Sequence, residues 1–196
     1  ETRYHTVTGY LNEDSVWDEI RGWIDATNTV KALQNNRMGV LGNYYGGMLD
    51  VYTDLTGQSV TFGTHFEMLE MCELKKIRDN ISPGEITEKI AEFESVFDID
   101  RKCDSKEIER AAKTSVALDK LVKTYHLGSL AYYYEGQTGN DYENIITSVI
   151  AGNTLLTGRS IPVAGECEVK NAHAMKIMSE LGSGGSFSEF YLMDFK

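Results

Sequence analysis

Two glutamates, Glu166 and Glu189, occupy positions from which a carboxylate can do chemistry. Glu166 follows the apolar run Ile161-Pro162-Val163-Ala164-Gly165 and precedes a helical pattern that opens at 168. A carboxylate there faces a helix N-terminus and the crevice beyond a sheet edge. It serves either as a helix cap or as a group that meets a ligand. Glu189 shares one face of an alternating stretch with Phe187, Tyr191 and Met193. An acid among apolar neighbours is costly unless it is paired or bound to a metal. The alternatives for it are a solvated edge strand or a salt bridge. Together, two carboxylates supply acid–base pairs or oxygen ligands for a hard divalent cation such as Mn²⁺ or Mg²⁺.

Other reactive residues are less pointed. Tyr132-Tyr133-Tyr134 form an aromatic run that ends at Glu135. Aromatic rings with polar tips at a strand end suit sugar binding, and such runs also build core strands. His173 falls inside a helical pattern and reads as a hydrogen-bonded packing residue, while His5 and His126 fall at element boundaries. His65 follows an apolar run, at a pocket edge or inside a capping box. The three cysteines, Cys72, Cys103 and Cys167, form no CxxC pair, which excludes zinc ribbons and redox dithiols and fits a reducing compartment. Neither a GxxxxGK[ST] loop nor a GxSxG elbow occurs. The glycines of 182–185 lack the strand–turn–helix setting of a dinucleotide site.

The elements that would position these groups alternate. A helix from Ser15 ends at Asn35-Asn36, with Val16, Ile20, Trp23, Ile24, Val30 and Leu33 at helical spacing. A short buried strand holds Met38, Val40 and Leu41, and the loop Gly42 to Gly47 follows. Residues 58–62 read as a strand, and Thr64-His65-Phe66-Glu67 as the capping box of a helix running to about 78. Ser82-Pro83-Gly84-Glu85 and Asp104 open two more helices. Residues 129–134 read as a strand, 142–157 as one helix, 161–165 as a strand, 168–181 as a helix, and 187–195 as a final strand. Short apolar strands joined by crossover helices predict an α/β fold, doubly wound, with a mainly parallel sheet covered by helices on both faces. Ligands in such sheets bind beyond the carboxyl ends of the strands. That rule selects the loop 42–47, the turn after Tyr134, and Glu166.

Charge narrows the partners. Residues 1–100 carry eight Lys/Arg against eighteen Asp/Glu, whereas 101–196 carry eleven against twelve. With no basic stripe, neither nucleic acid nor an anionic membrane surface is expected as a partner. No apolar run of membrane-spanning length occurs. The chain starts at Glu1, and its alternating pattern reaches the last residue. An excerpt of a longer protein is therefore expected.

Four segments, RMGVLGNYYGGMLDV (37–51), SLAYYYEGQTGNDYEN (129–144), IPVAGECEVKNAHAMKIM (161–178) and GSGGSFSEFYLMDF (182–195), follow one another in order. In these the chain resembles the L-arabinose isomerase family, within the arabinose/fucose isomerase group. The resemblance implies a middle α/β domain over residues 1–182 and the start of the C-terminal domain over 183–196. It implies aldose–ketose isomerisation in the cytoplasm by a homo-oligomer, with a divalent metal, usually Mn²⁺, held by two glutamates and two histidines. By motif the glutamates are Glu166 and Glu189, catalytic as well as metal-binding, and Tyr134 lines the sugar pocket. None of His5, His65, His126 and His173 matches the family's histidines, so the remaining ligands are expected outside this chain. The rival expectations are a non-catalytic sugar-binding module and an oligomer-forming domain.

Overall fold

The computed structural model describes residues 4–136, 138–188 and 192–195. Among these, β1 (Arg37–Gly42), β2 (His65–Leu69), β3 (Ser129–Tyr133) and β4 (Val163–Ala164) form one sheet in the order β2-β1-β3-β4. Every pairing is parallel: Met38 faces Phe66 on one side and Ser129 on the other, and Leu130 faces Val163. The fold is thus α/β and doubly wound. β1 is central, and the chain leaves it first toward β2 and later toward β3. The topological switch point lies between the carboxyl ends of β1 and β3.

Eight α-helices are described, besides a short 3-10 helix at Leu49–Val51: α1 (Asp14–Gln34), α2 (Leu55–Phe62), α3 (Met71–Asp79), α4 (Pro83–Val96), α5 (Ser105–Tyr125), α6 (Asp141–Ile146), α7 (Ile150–Gly158) and α8 (Val169–Glu180). Strand alternation divides the core between two faces. Leu41, Leu69, Leu130 and Val163 meet α3, α5, α6 and α7 through Leu74, Leu118, Leu121, Ile145 and Leu156. Met38, Val40, Ala131 and Ala164 meet α8 through Val169, Ala172 and Met175. α1 lies beside α8, and α4 forms an outer layer over α5 and α7 through Phe93, Ala112 and Leu155. Each buried aliphatic side chain contributes roughly 1.5–3 kcal/mol.

Local signals succeed where they are self-contained. Ser82 and Glu85 form the expected reciprocal capping box with Pro83 in the first turn, and Asp104 caps α5. Elsewhere the fold corrects the sequence. Residues 58–62 belong to helix α2, where the Thr61 hydroxyl donates back to the Gly57 carbonyl at 2.8 Å and Gly63 ends the helix in a left-handed turn. The segment from Thr64 starts strand β2 instead of a helix. The Thr64 hydroxyl is committed to the Leu33 carbonyl, and the His65 amide donates to the Asn36 carbonyl. The working box is Glu70 with Glu73, which opens α3. The expected helix over 142–157 splits at Thr147–Val149, where buried Ser148 bonds Thr114 at 2.7 Å. α1 takes Glu13, not Ser15, as its N-cap.

Two larger departures matter for function. The apolar spacing of α1 predicts burial of Val16, Ile20, Trp23, Ile24, Val30 and Leu33; Leu33 is buried beside Thr29 and Val16 and Ile20 are half-buried, whereas Trp23, Ile24 and Val30 are exposed, as is Trp17. The alternation over 187–195 predicts a strand, but residues 187–188 and 192–195 form none, and 189–191 lie outside the described residues. A strand needs a neighbour for its backbone groups. Here Phe187 instead packs back on the core cluster that holds Ala164 and Val169.

Candidate functional site

The three places selected by the carboxyl-edge rule meet on one rim. β1 ends at Gly42, β3 at Tyr133 and β4 at Ala164, all parallel. Their loops are tied by backbone hydrogen bonds: the Asn43 amide to the Tyr133 carbonyl at 3.0 Å, the Cys167 amide to the Tyr132 carbonyl at 2.9 Å, and the Tyr45 amide to the Glu166 carbonyl at 3.4 Å. Gly42 makes the first of these crossings possible. Its φ is +82°, and a Cβ there would lie 2.1 Å from the Tyr133 carbonyl oxygen.

Glu166 sits on this rim, half-buried, two residues past β4. Its φ is +55° and that of Cys167 is +58°. Two successive non-glycine residues in the left-handed region cost roughly 1–2 kcal/mol each. Such backbone persists where its surroundings impose it, and it concentrates at functional sites. Helix capping does not account for Glu166, because Glu168 is the N-cap of α8 and accepts from the Lys170 amide at 3.0 Å. Cys167 is buried, and burial followed by the charge of Glu168 pushes its thiol up to about 12. A thiol held neutral in this way is no nucleophile.

Alternation sorts the tyrosines. Tyr132 and Tyr134 turn to the α5 face, where the Tyr134 ring meets Tyr142 edge-on at 5.4 Å. Tyr133 turns to the α8 face, and its ring lies 5.0 Å from that of Tyr45. Burial first, then the carboxylate of Glu135, then Tyr45 and Glu166, raise the Tyr133 phenol above its ordinary value. The site therefore brings Tyr45, Tyr133, Glu135 and Glu166 together. Sequence reasoning placed Glu166 here and missed Tyr133; the signal available was strand parity, which puts neighbours in a tyrosine run on opposite faces. Beside the rim, a cleft of about 360 Å³ opens between β4 and α7, lined by Tyr132, Asn153, Thr157, Val163, Gly165 and Phe187.

Of the two carboxylates that the resemblance implies as metal ligands, the described residues include Glu166. Among the described residues, no three or more His, Cys, Asp or Glu side chains group to hold an ion. Glu166 is one carboxylate, and a protein site for a hard cation uses several oxygen ligands. Glu189 lies outside the described residues. His65 and His126 stand at the amino ends of β2 and β3, and His5 pairs with Glu19 on α1. His173 is buried, but neither ring nitrogen finds the expected hydrogen-bond partner among the described residues; the ring instead stacks on Phe62 at 4.5 Å. All three cysteines are free, and no helix among the described residues is long and apolar enough to cross a membrane.

No protein-family profile matches the chain, and no curated protein is significantly similar to it.

Proposed function

We propose that this chain is the middle part of a cytoplasmic aldose–ketose isomerase of the L-arabinose-to-L-ribulose type, with Glu166 as a reacting carboxylate. The observation that carries this reading is the placement of Glu166. It is held in left-handed backbone at the carboxyl rim of a parallel sheet, beside Tyr133 at the switch point, while its neighbour Glu168 does the capping. Isomerisation moves a proton between C1 and C2 of the sugar. One carboxylate takes the proton from C2 while a carboxylic acid gives one to the carbonyl oxygen on C1, so an enediol forms; the C2 hydroxyl then gives up its proton as C1 receives one, leaving the ketone at C2. Glu166 and Glu189 share those duties in this reading. A positioned acid–base group typically contributes about 10²–10⁴-fold. The described residues do not by themselves form the Mn²⁺ site, which in this reading requires Glu189 and donors outside them.

The test is Glu166→Gln in the complete protein that carries this chain, with ketopentose formation measured from L-arabinose. The substitution keeps shape and removes the base. A fall of at least a hundredfold in kcat is expected; unchanged turnover refutes the reading.

A specific observation also favours an assembly role. The outward face of α1 exposes Trp17, Trp23, Ile24 and Val30, and patches of that kind mark interaction surfaces. A homo-oligomer is compatible with the catalytic reading. Light scattering of the chain distinguishes a monomer from an assembly.

A further inference from the structure

We propose that Tyr133, and not Tyr134, is the aromatic residue that touches the sugar, donating its phenolic hydrogen bond to a substrate hydroxyl beside Glu166. This inference rests on the isomerase reading and adds to it the contact that fixes the substrate. Three observations carry it. β3 ends at Tyr133, at the switch point where the loop after β1 and the segment after β4 converge. The Tyr133 side chain stands on the face that also carries Tyr45, with ring centroids 5.0 Å apart and planes inclined by 47°. Its phenol hydrogen-bonds Glu135 and feels the charge of Glu166, so a sugar hydroxyl beside the proposed reacting carboxylate would take over the bond that Glu135 holds in the free chain.

Tyr134 has a different occupation. Strand parity turns it toward α6, where its ring meets Tyr142 at an interplanar angle of 87°. That is a packing contact within the larger core. A sugar presents a C–H face and a ring of hydroxyls. The Tyr45–Tyr133 pair offers an apolar surface for the first and a directional donor for one of the second. Tyr45 is fixed to the same rim by its own amide, which donates to the Glu166 carbonyl. The aromatic pair and the carboxylate are therefore positioned by one set of backbone bonds. Sliding β1 relative to β4 would disturb both.

The experiment compares Tyr133→Phe, Tyr134→Phe and Glu166→Gln in the complete protein, with steady-state isomerisation and with calorimetric titration of ribitol, a pentitol that offers hydroxyls but no carbonyl. Phe at 133 keeps the ring on Tyr45 and removes one donor. About a tenfold loss in kcat/KM, mostly in KM, and about tenfold weaker ribitol binding are expected, as for one lost hydrogen bond. Tyr134→Phe should stay within about threefold of the parent on both readouts. Unchanged KM and ribitol affinity in Tyr133→Phe overturn the assignment, as does an equal or larger loss in Tyr134→Phe. Should Tyr133→Phe melt early, ribitol titration well below its transition decides in the same way. An active Glu166→Gln protein, or an inactive parent, overturns the isomerase reading itself, a failure that the tyrosine variants alone do not produce.

Discussion

Lowering the pH from 7 to 4 should destabilise this fold by about 3 kcal/mol through His173 alone. His173 is 2% exposed, its ring lies between Phe62 and Phe66, and burial lowers its pKa from 6.5 to about 4. The unfolded chain takes up a proton near 6.5, whereas the folded chain resists it until about 4. The contribution is intact above 6.5 and is lost progressively as pH falls toward 4. Each pH unit in that window costs about 1.4 kcal/mol, which sets the total. Other groups titrate in the same range, so the assay is a difference. Urea unfolding of the parent and of His173→Leu is measured at intervals from pH 7 to pH 4. The two stabilities should diverge by about 3 kcal/mol across the window, with the variant less sensitive to acid. At pH 7 the variant should match the parent or exceed it by up to about 2 kcal/mol, because two buried nitrogens with no hydrogen-bond partner among the described residues are replaced by carbon. Parallel pH profiles would refute the reasoning. So would a large loss at pH 7, which would reveal a partner for the imidazole.

Lys89 is 7% exposed, and its ammonium bonds Glu92 and Asp119 at 2.6 Å each, tying α4 to α5, while Arg159 also pairs with both acids. Lys89→Ala should cost about 3 kcal/mol by denaturant titration, since it leaves two partly buried carboxylates to one exposed guanidinium; a cost below about 0.5 kcal/mol would show that Arg159 suffices. Calorimetric titration of the 196-residue chain with MnCl₂ at neutral pH should find no site tighter than about millimolar, because one or two carboxylates leave the ion largely hydrated. Submicromolar binding at one site would show that the chain carries a full ligand set.

The elements legible in the sequence were those whose signals close within one turn of chain. Ser82-Pro83-Gly84-Glu85 satisfies its own orphan amides, so α4 starts where the residues say. Apolar runs of strand length between helical patterns were enough for a parallel, doubly wound sheet, and the carboxyl-edge rule then placed Glu166 on the rim. Residues 58–69 were misread in type because Thr and Val favour strands only when a neighbouring strand receives them. In the fold β1 receives residues 65–69, and the Thr64 hydroxyl is spent on α1. The apolar stripe of α1 showed that a face is apolar, not which body covers it. Tertiary structure alone decided that Glu168 caps α8 while Glu166 does not, and that Tyr133 rather than Tyr134 joins Tyr45. The reason is common to all of these. A capping bond or a periodic pattern is fixed by distances along the chain. The partner of a side chain is fixed by the register of strands distant in sequence, and a shift of one residue there exchanges the two faces.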